Sequence, residues 1–231
     1  MGATTGIGWT QRTWNPWHGC TPVSPGCDHC YMFAQKRQYG QDPELVVRST
    51  TTFDAPLKWR DPALVFTCSW SDWFHVTADP SRDAAWTSIA RTPHLTYQIL
   101  TKRPARMRGH LWKNSGHRIV PRNVWLGVSI ESRPYLYRAD VLREVPAHVR
   151  FLSLEPLLES LGPLDLDGIG WVIVGAESGS ERRPFELAWL AEIAAQCDAA
   201  GVPLFVKQDG AQRPGQRGRI PDALWRQEFP S

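Results

Sequence analysis

The sequence predicts an α/β chain, a partial (β/α) barrel of six or seven parallel strands, on three observations. Short apolar runs recur and close in polar or reactive residues, stretches of helical spacing separate them, and nearly every run ends in groups suited to binding a ligand. A barrel gathers its site from the C-terminal ends of many strands, whereas a doubly wound sheet concentrates its ligand at one switch point. The spread of functional groups over all the run ends therefore favours the barrel.

The runs cover 64–68, 96–100, 124–129, 149–154, 171–174 and 204–206, and read as strands buried on both faces. Good helix formers at helical spacing occupy 82–91, 134–144 and 186–200, the last closed by Gly201 as a C-cap. Alternation of this kind implies right-handed crossovers between neighbouring parallel strands. The segment 208–220 sets Gly210, Pro214, Gly215 and Gly218 among Arg213, Arg217 and Arg219, which reads as a turn-rich basic loop over one rim.

With 231 residues the chain suits one domain, 1–231, with one substantial core. Its net charge of +3 permits an anionic partner without requiring one. Twelve tryptophans are a high number, and place several large amphipathic rings near surfaces or pockets. Five cysteines, an odd count, follow an N-terminus without a basic and apolar leader, so a reducing, cytoplasmic setting is expected rather than a secreted disulfide framework. Charges or prolines interrupt every apolar run, so no membrane span is expected.

Three of the cysteines, Cys20, Cys27 and Cys30, share one glycine- and proline-rich loop, 18–31. Three thiolates on one loop point to a metal. Spacing alone leaves two readings open. With His18 or His29 the loop completes a tetrahedral zinc site. Alternatively it holds an iron-sulfur cube, which usually takes four cysteines, so that three leave one iron open to a non-protein ligand.

The block Gly8-Trp9-Thr10, then Thr13-Trp14-Asn15-Pro16-Trp17-His18-Gly19-Cys20 and Ser24-Pro25-Gly26-Cys27-Asp28-His29-Cys30-Tyr31, resembles a phage-associated family of radical S-adenosylmethionine (SAM) proteins. The likeness continues through Ser71-Asp72-Trp73-Phe74-His75, Leu100-Thr101-Lys102-Arg103-Pro104, Val124-Trp125-Leu126-Gly127-Val128-Ser129, Ser153-Leu154-Glu155-Pro156-Leu157, Trp171-Val172-Ile173-Val174-Gly175-Ala176-Glu177-Ser178-Gly179 and Val206-Lys207-Gln208. The resemblance implies a radical SAM type of partial barrel, a [4Fe-4S] cluster on Cys20, Cys27 and Cys30, and S-adenosyl-L-methionine chelated at the fourth iron. Reductive cleavage of SAM to methionine and a 5′-deoxyadenosyl radical would follow, fed by an external electron donor such as flavodoxin or ferredoxin. For a phage-encoded protein the setting is the host cytoplasm. The first gap departs from the common superfamily loop: six residues separate Cys20 from Cys27 and two separate Cys27 from Cys30, where the common spacing is three and two. His29 takes the place of an aromatic residue that often packs near the adenine.

The strand ends supply the remaining candidates. Ser69 and Asp72 follow the run 64–68, in the place of the second strand of the superfamily, which holds the SAM amino group there, although Ser and Asp also start helices. Ser129 and Glu131 end the run 124–129, in the place of the superfamily's fourth strand, and Glu177 lies beside Gly175 and Gly179, where missing side chains let a cofactor approach backbone. These residues with His29 form the cofactor-binding set. The candidate catalytic groups are Cys68, Lys102, Glu155 and Lys207. Cys68 could return a hydrogen atom to a product radical or simply pack inside; Glu155 either binds a ligand or pairs with Lys207, Lys102 or Arg103. Cys197 is a helical apolar filler with no assigned role. Lys102, Arg103, Arg106 and Arg108 form a basic run suited to phosphates or to a solvated helix face, and Trp70, Trp73 and Phe74 are positioned to stack on a base.

The leading expectation is a radical SAM enzyme that modifies or rearranges a nucleotide or DNA base. The alternative is a zinc-stabilised nucleic-acid-binding module without catalysis, and a third is a metal-independent phosphate-binding barrel enzyme.

Overall fold

A computed structural model describes residues 5–112 and 120–230 of the chain. In chain order its elements are β1 (Arg12–Trp14), β2 (Trp17–His18), α1 (Tyr31–Gln38), β3 (Val47–Arg48), β4 (Ala63–Thr67), α2 (Asp79–Ala90), β5 (Leu95–Thr101), α3 (Pro104–Trp112) and β6 (Val124–Ser129). The rest are α4 (Tyr137–Arg143), β7 (Val149–Leu154), β8 (Trp171–Gly175), α5 (Leu187–Ala200) and β9 (Leu204–Gln208).

Seven parallel strands form one sheet in the order β1-β4-β5-β6-β7-β8-β9, and β2 with β3 makes a separate antiparallel ribbon. Because each crossover steps to the next strand in the same sense, the sheet has no switch point and curls into a half-barrel. All seven C-terminal strand ends consequently face one mouth.

The strand period of two divides the sheet residues between two faces. Val65, Tyr97, Ile99, Leu126, Val128, Leu152, Val172, Val174, Leu204 and Val206 join the core that holds Ala85 and Ile89 of α2 and Leu190 and Ile193 of α5. The concave face carries the aromatics instead: Phe151, Trp171, Ile173 and Phe205 cluster with Trp9, and Phe66, Leu100 and Trp125 pack against them. Trp171 is the hub, its ring 5.8 to 6.2 Å from those of Trp9, Trp125, Phe151 and Phe205. Part of the tryptophan excess thus forms a floor beneath the mouth. Gly127 makes room for it, since a Cβ there would lie 2.4 Å from the Phe151 ring.

Strands β6 and β7 occupy the expected residues, β4 is displaced by one, and β5, β8 and β9 contain the expected runs and extend them by one or two residues. β4 stops at Thr67 because Cys68 turns left-handed, at φ +56°. α2 starts a turn before residue 82, with Pro80 at its preorganised first turn. α4 starts later than 134 because Pro134 belongs to a 3-10 turn at Arg133–Tyr135. α5 ends on Gly201 at φ +64°, as its C-cap glycine requires. β1, β2 and β3, two or three residues each, are too short to show a periodicity in sequence. Among the described residues, no helix is long and apolar enough to cross a membrane.

Candidate functional site

The polar rim of the mouth follows from the same parity. Ser129, Ser153 and Gly175 continue the concave face above Trp125, Phe151 and Ile173, and Ser129 pairs in register with Ser153. Ser153 was outside the sequence-derived set, although its place two residues after Phe151 in β7 was the available signal. Glu155 and Lys207 form an ion pair on this rim, both partly exposed. A Cβ on Gly175 would lie 3.3 Å from the Glu155 Cδ and 3.4 Å from the Lys207 Cβ, so the glycine accommodates that pair. Lys102, just past β5, places its Nζ 3.9 Å from Glu131.

The cysteine loop begins at Gly19, whose φ of +97° and position 2.2 Å (as a Cβ) from the Leu45 carbonyl oxygen admit no side chain. The Gly19 N–H donates to the Trp70 carbonyl at 2.9 Å, and the Ser71 hydroxyl donates back to the Gly19 carbonyl at 2.5 Å. Asn15 accepts from the Trp70 N–H at 2.9 Å and donates to the Ser69 hydroxyl at 3.0 Å. Cys30 then caps α1.

Two arginines clamp the loop from opposite sides. Arg103 donates to the Thr21 carbonyl and hydroxyl at 2.7 and 2.9 Å, reaches the Cys20 sulfur at 3.6 Å and pairs with Asp72 at 3.0 Å. Asp72 is buried and accepts further bonds from the Phe74 N–H, the Thr101 hydroxyl and the Lys102 N–H at 2.8, 2.7 and 3.0 Å. Both its oxygens are thereby engaged within the chain, tying β4's exit to the start of α3. On the other side Arg183 donates to the Pro25 carbonyl at 2.8 Å and stands 3.5 Å from Asp28. Glu177 holds Arg183 through the latter's N–H and Nε at 2.8 and 3.1 Å, and contacts His29 Nδ1 at 3.1 Å. Burial opposes ionisation of Glu177, but the hydrogen bonds from Arg183 outweigh it and hold its carboxyl below the usual range.

Beneath the loop lies Glu131, fully buried, its Oε2 accepting from Arg138 at 3.0 Å. Its Oε1 is buried with no hydrogen-bond partner, and Gly26 of the loop packs on it, a Cβ there falling 3.1 Å from the Glu131 Cδ. Among the described residues it is the one carboxylate oxygen so left, and the Nε of its partner Arg138 is likewise buried without an acceptor.

The basic run does not offer a free phosphate grip. Arg103 is committed to Asp72, Arg106 to Asp79 at 2.7 Å and Arg108 to Glu144 at 2.8 Å. Trp73 and Phe74 are fully buried in the core, which leaves only Trp70 of the three aromatics open to stack. Cys197 is buried in α5, where burial pushes its thiol up to about 12.

The donor set suits a thiophilic metal: Cys20, Cys27 and Cys30 are free, partly exposed thiols on a clamped loop. Burial, then the nearby Asp72, push the Cys20 thiol up to about 11, against the pull of Arg103. Burial also raises Cys30, opposed by the N–H groups of Met32 and Phe33, and the charge of Cys27 acts on both. Among the described residues no three His, Cys, Asp or Glu side chains converge as a metal-holding group. A bound cation reverses this balance, since it favours thiolate directly. Cys68 is buried beneath Cys20, and burial first, then Asp72 and Cys20, hold it protonated.

The family described as a protein of unknown function, DUF5131, matches residues 4–227. No curated protein and no solved structure matches the chain.

Proposed function

The chain belongs to the DUF5131 family, and we propose that it is a radical SAM enzyme acting on a nucleotide or a DNA base. The observation that carries the reading is the three-thiol loop, clamped by Arg103 and Arg183 over the rim of a parallel half-barrel, with an unpartnered Glu131 oxygen beneath it.

When bound, a [4Fe-4S] cluster and SAM would supply reductive cleavage of the sulfonium and a carbon radical able to remove a hydrogen atom. Cys20, Cys27 and Cys30 would hold the cluster. Arg103 and Arg183 keep the loop over the mouth, and the Glu131 Oε1 would accept a hydrogen bond from an amino or hydroxyl group of the cofactor. The aromatic floor around Trp171 excludes water from the concave face, which protects a reactive intermediate. Glu155 and Lys207, paired at the rim, would hold a polar group of the substrate, whereas Cys68 packs in the buried core. The electron would come from a donor such as flavodoxin or ferredoxin, and a phage-encoded enzyme would work in the host cytoplasm.

The test is anaerobic reconstitution and reduction, followed by assay for 5′-deoxyadenosine from SAM. The wild-type chain should form it and the triple variant Cys20→Ala, Cys27→Ala, Cys30→Ala should not. Absence of product from iron-loaded, reduced wild-type protein would refute the reading.

A further inference from the structure

A second cavity lies behind the cysteine loop, between α1, the β2–β3 ribbon and the turn after β4, with a volume of about 430 Å³. It falls within the usual size range of small-molecule sites. His18, Lys36, Arg48, the hydroxyl residues of 49–52 and Trp70 line it, and no carboxylate does.

Lys36 is the unusual member. Its side chain is on a residue only 3% exposed, yet its one hydrogen bond is a long 3.5 Å contact to the Asp42 carbonyl, and among the described residues it has no ion pair within 4 Å, the Asp42 carboxylate acting on it only from farther away. Buried ammonium groups are otherwise paired, because one weak carbonyl contact does not offset the lost hydration. His18 adds an Nδ1 that is buried with no hydrogen-bond partner. Arg48, across the ribbon in register with Trp17, lies over the Phe53 ring at 3.7 Å and likewise has no carboxylate partner among the described residues. Ser49 and Thr52 are held in place by their mutual 2.7 Å hydrogen bond and by the Thr52 hydroxyl donating to the Asn15 carbonyl at 2.9 Å. Trp70, anchored through its backbone to Gly19 and Asn15, presents a partly exposed indole to the same space.

We infer that this cavity is a phosphate-ester subsite, in which Lys36, Arg48 and His18 take the phosphate of a nucleotide and Trp70 stacks on its base. Two positive side chains, the hydroxyls of Thr50 and Thr51 and an aromatic face, with Asp42 acting on Lys36 only from beyond ion-pair distance, are what a nucleotide requires and a neutral metabolite does not. The cavity stands apart from the rim of the half-barrel, so the subsite does not depend on iron in the cysteine loop, whereas a zinc ion held by His18 would compete with it. Its failure would leave the radical SAM reading untouched, and the reverse also holds.

Calorimetric titration of the full chain tests it with thymidine 5′-monophosphate, thymidine, inorganic phosphate and a short oligothymidylate. The monophosphate should bind at least about tenfold more tightly than thymidine, the worth of a charge-assisted hydrogen bond. Arg48→Gln and Lys36→Gln should each weaken it by about tenfold, and Trp70→Ala should weaken the nucleotide but not inorganic phosphate. Because Arg48 is exposed, its variant should fold, melting a few degrees lower through loss of the Phe53 contact, and decides the matter even where Lys36→Gln fails to fold. A tighter monophosphate identifies a free nucleotide as the source, a tighter oligomer the nucleic-acid backbone; either supports the site. No binding of any phosphate probe, or affinity unchanged by Arg48→Gln, would overturn it.

Discussion

Arg103 holds Thr21 twice from one guanidinium nitrogen, at 2.7 Å to its carbonyl and 2.9 Å to its hydroxyl, so the cysteine loop and the turn into α3 are one mechanical unit. The fork geometry matters as much as the charge, since the other nitrogen reaches Asp72 and the Cys20 sulfur. Arg103→Gln should lower stability by about 2–4 kcal/mol, through the buried Asp72 left without its cation, and roughly halve the iron retained after anaerobic reconstitution. Arg103→Lys should recover little of either, as a point charge cannot make the same bonds. Urea melts and iron assays on the three proteins check this; full iron retention in Arg103→Gln would show that the clamp is dispensable.

Gly19 should tolerate no side chain. Its φ of +97° disfavours any L-residue, and a Cβ would meet the Leu45 carbonyl oxygen at 2.2 Å. Gly40, at φ +65° with nothing within 4 Å, isolates the conformational part of the cost. Gly40→Ala should cost about 1 kcal/mol, and Gly19→Ala clearly more, about 3 kcal/mol or above, by chemical denaturation. Equal costs would mean that the ribbon moves aside freely.

Asp209 fixes the basic loop by accepting from Arg219 Nε at 2.9 Å and from the N–H groups of Gly210 and Arg219, both at 2.7 Å. The Arg219 hydrogen bonds outweigh burial and hold the carboxyl below the usual range. A depressed folded-state pKa gives stability that is fully present above the unfolded value, about 3.9, and is lost as pH falls through the folded value. Asp209→Asn should therefore cost about 1–3 kcal/mol at neutral pH and lose a smaller increment than the wild type on acidification below about pH 4. Denaturation curves across that range decide it, and parallel acid limbs for the two proteins would contradict the assignment.

The strands and their common mouth were legible because a run such as 149–154 is both apolar and bounded by turn residues, and β7 occupies those residues. The strand that leads into the cysteine loop was not, since β1 has only three residues. Partnerships between distant segments were not. The basic run at 102–108 looked open until Asp72, Asp79 and Glu144 folded onto it, each from another part of the chain. Trp73 and Phe74 read as stacking platforms because sequence shows ring type but not burial. The clamp from Arg183 to Pro25, and the cavity joining His18, Lys36, Arg48 and Trp70, unite segments that no local pattern connects.

The central claim is that three thiolates hold a cube whose remaining iron is left for SAM, and metal analysis of anaerobically prepared protein tests it most directly. The account predicts about four irons and four sulfides per chain, abolished by Cys20→Ala, Cys27→Ala or Cys30→Ala and unchanged by Cys197→Ala. One zinc per chain with neither iron nor sulfide would contradict it.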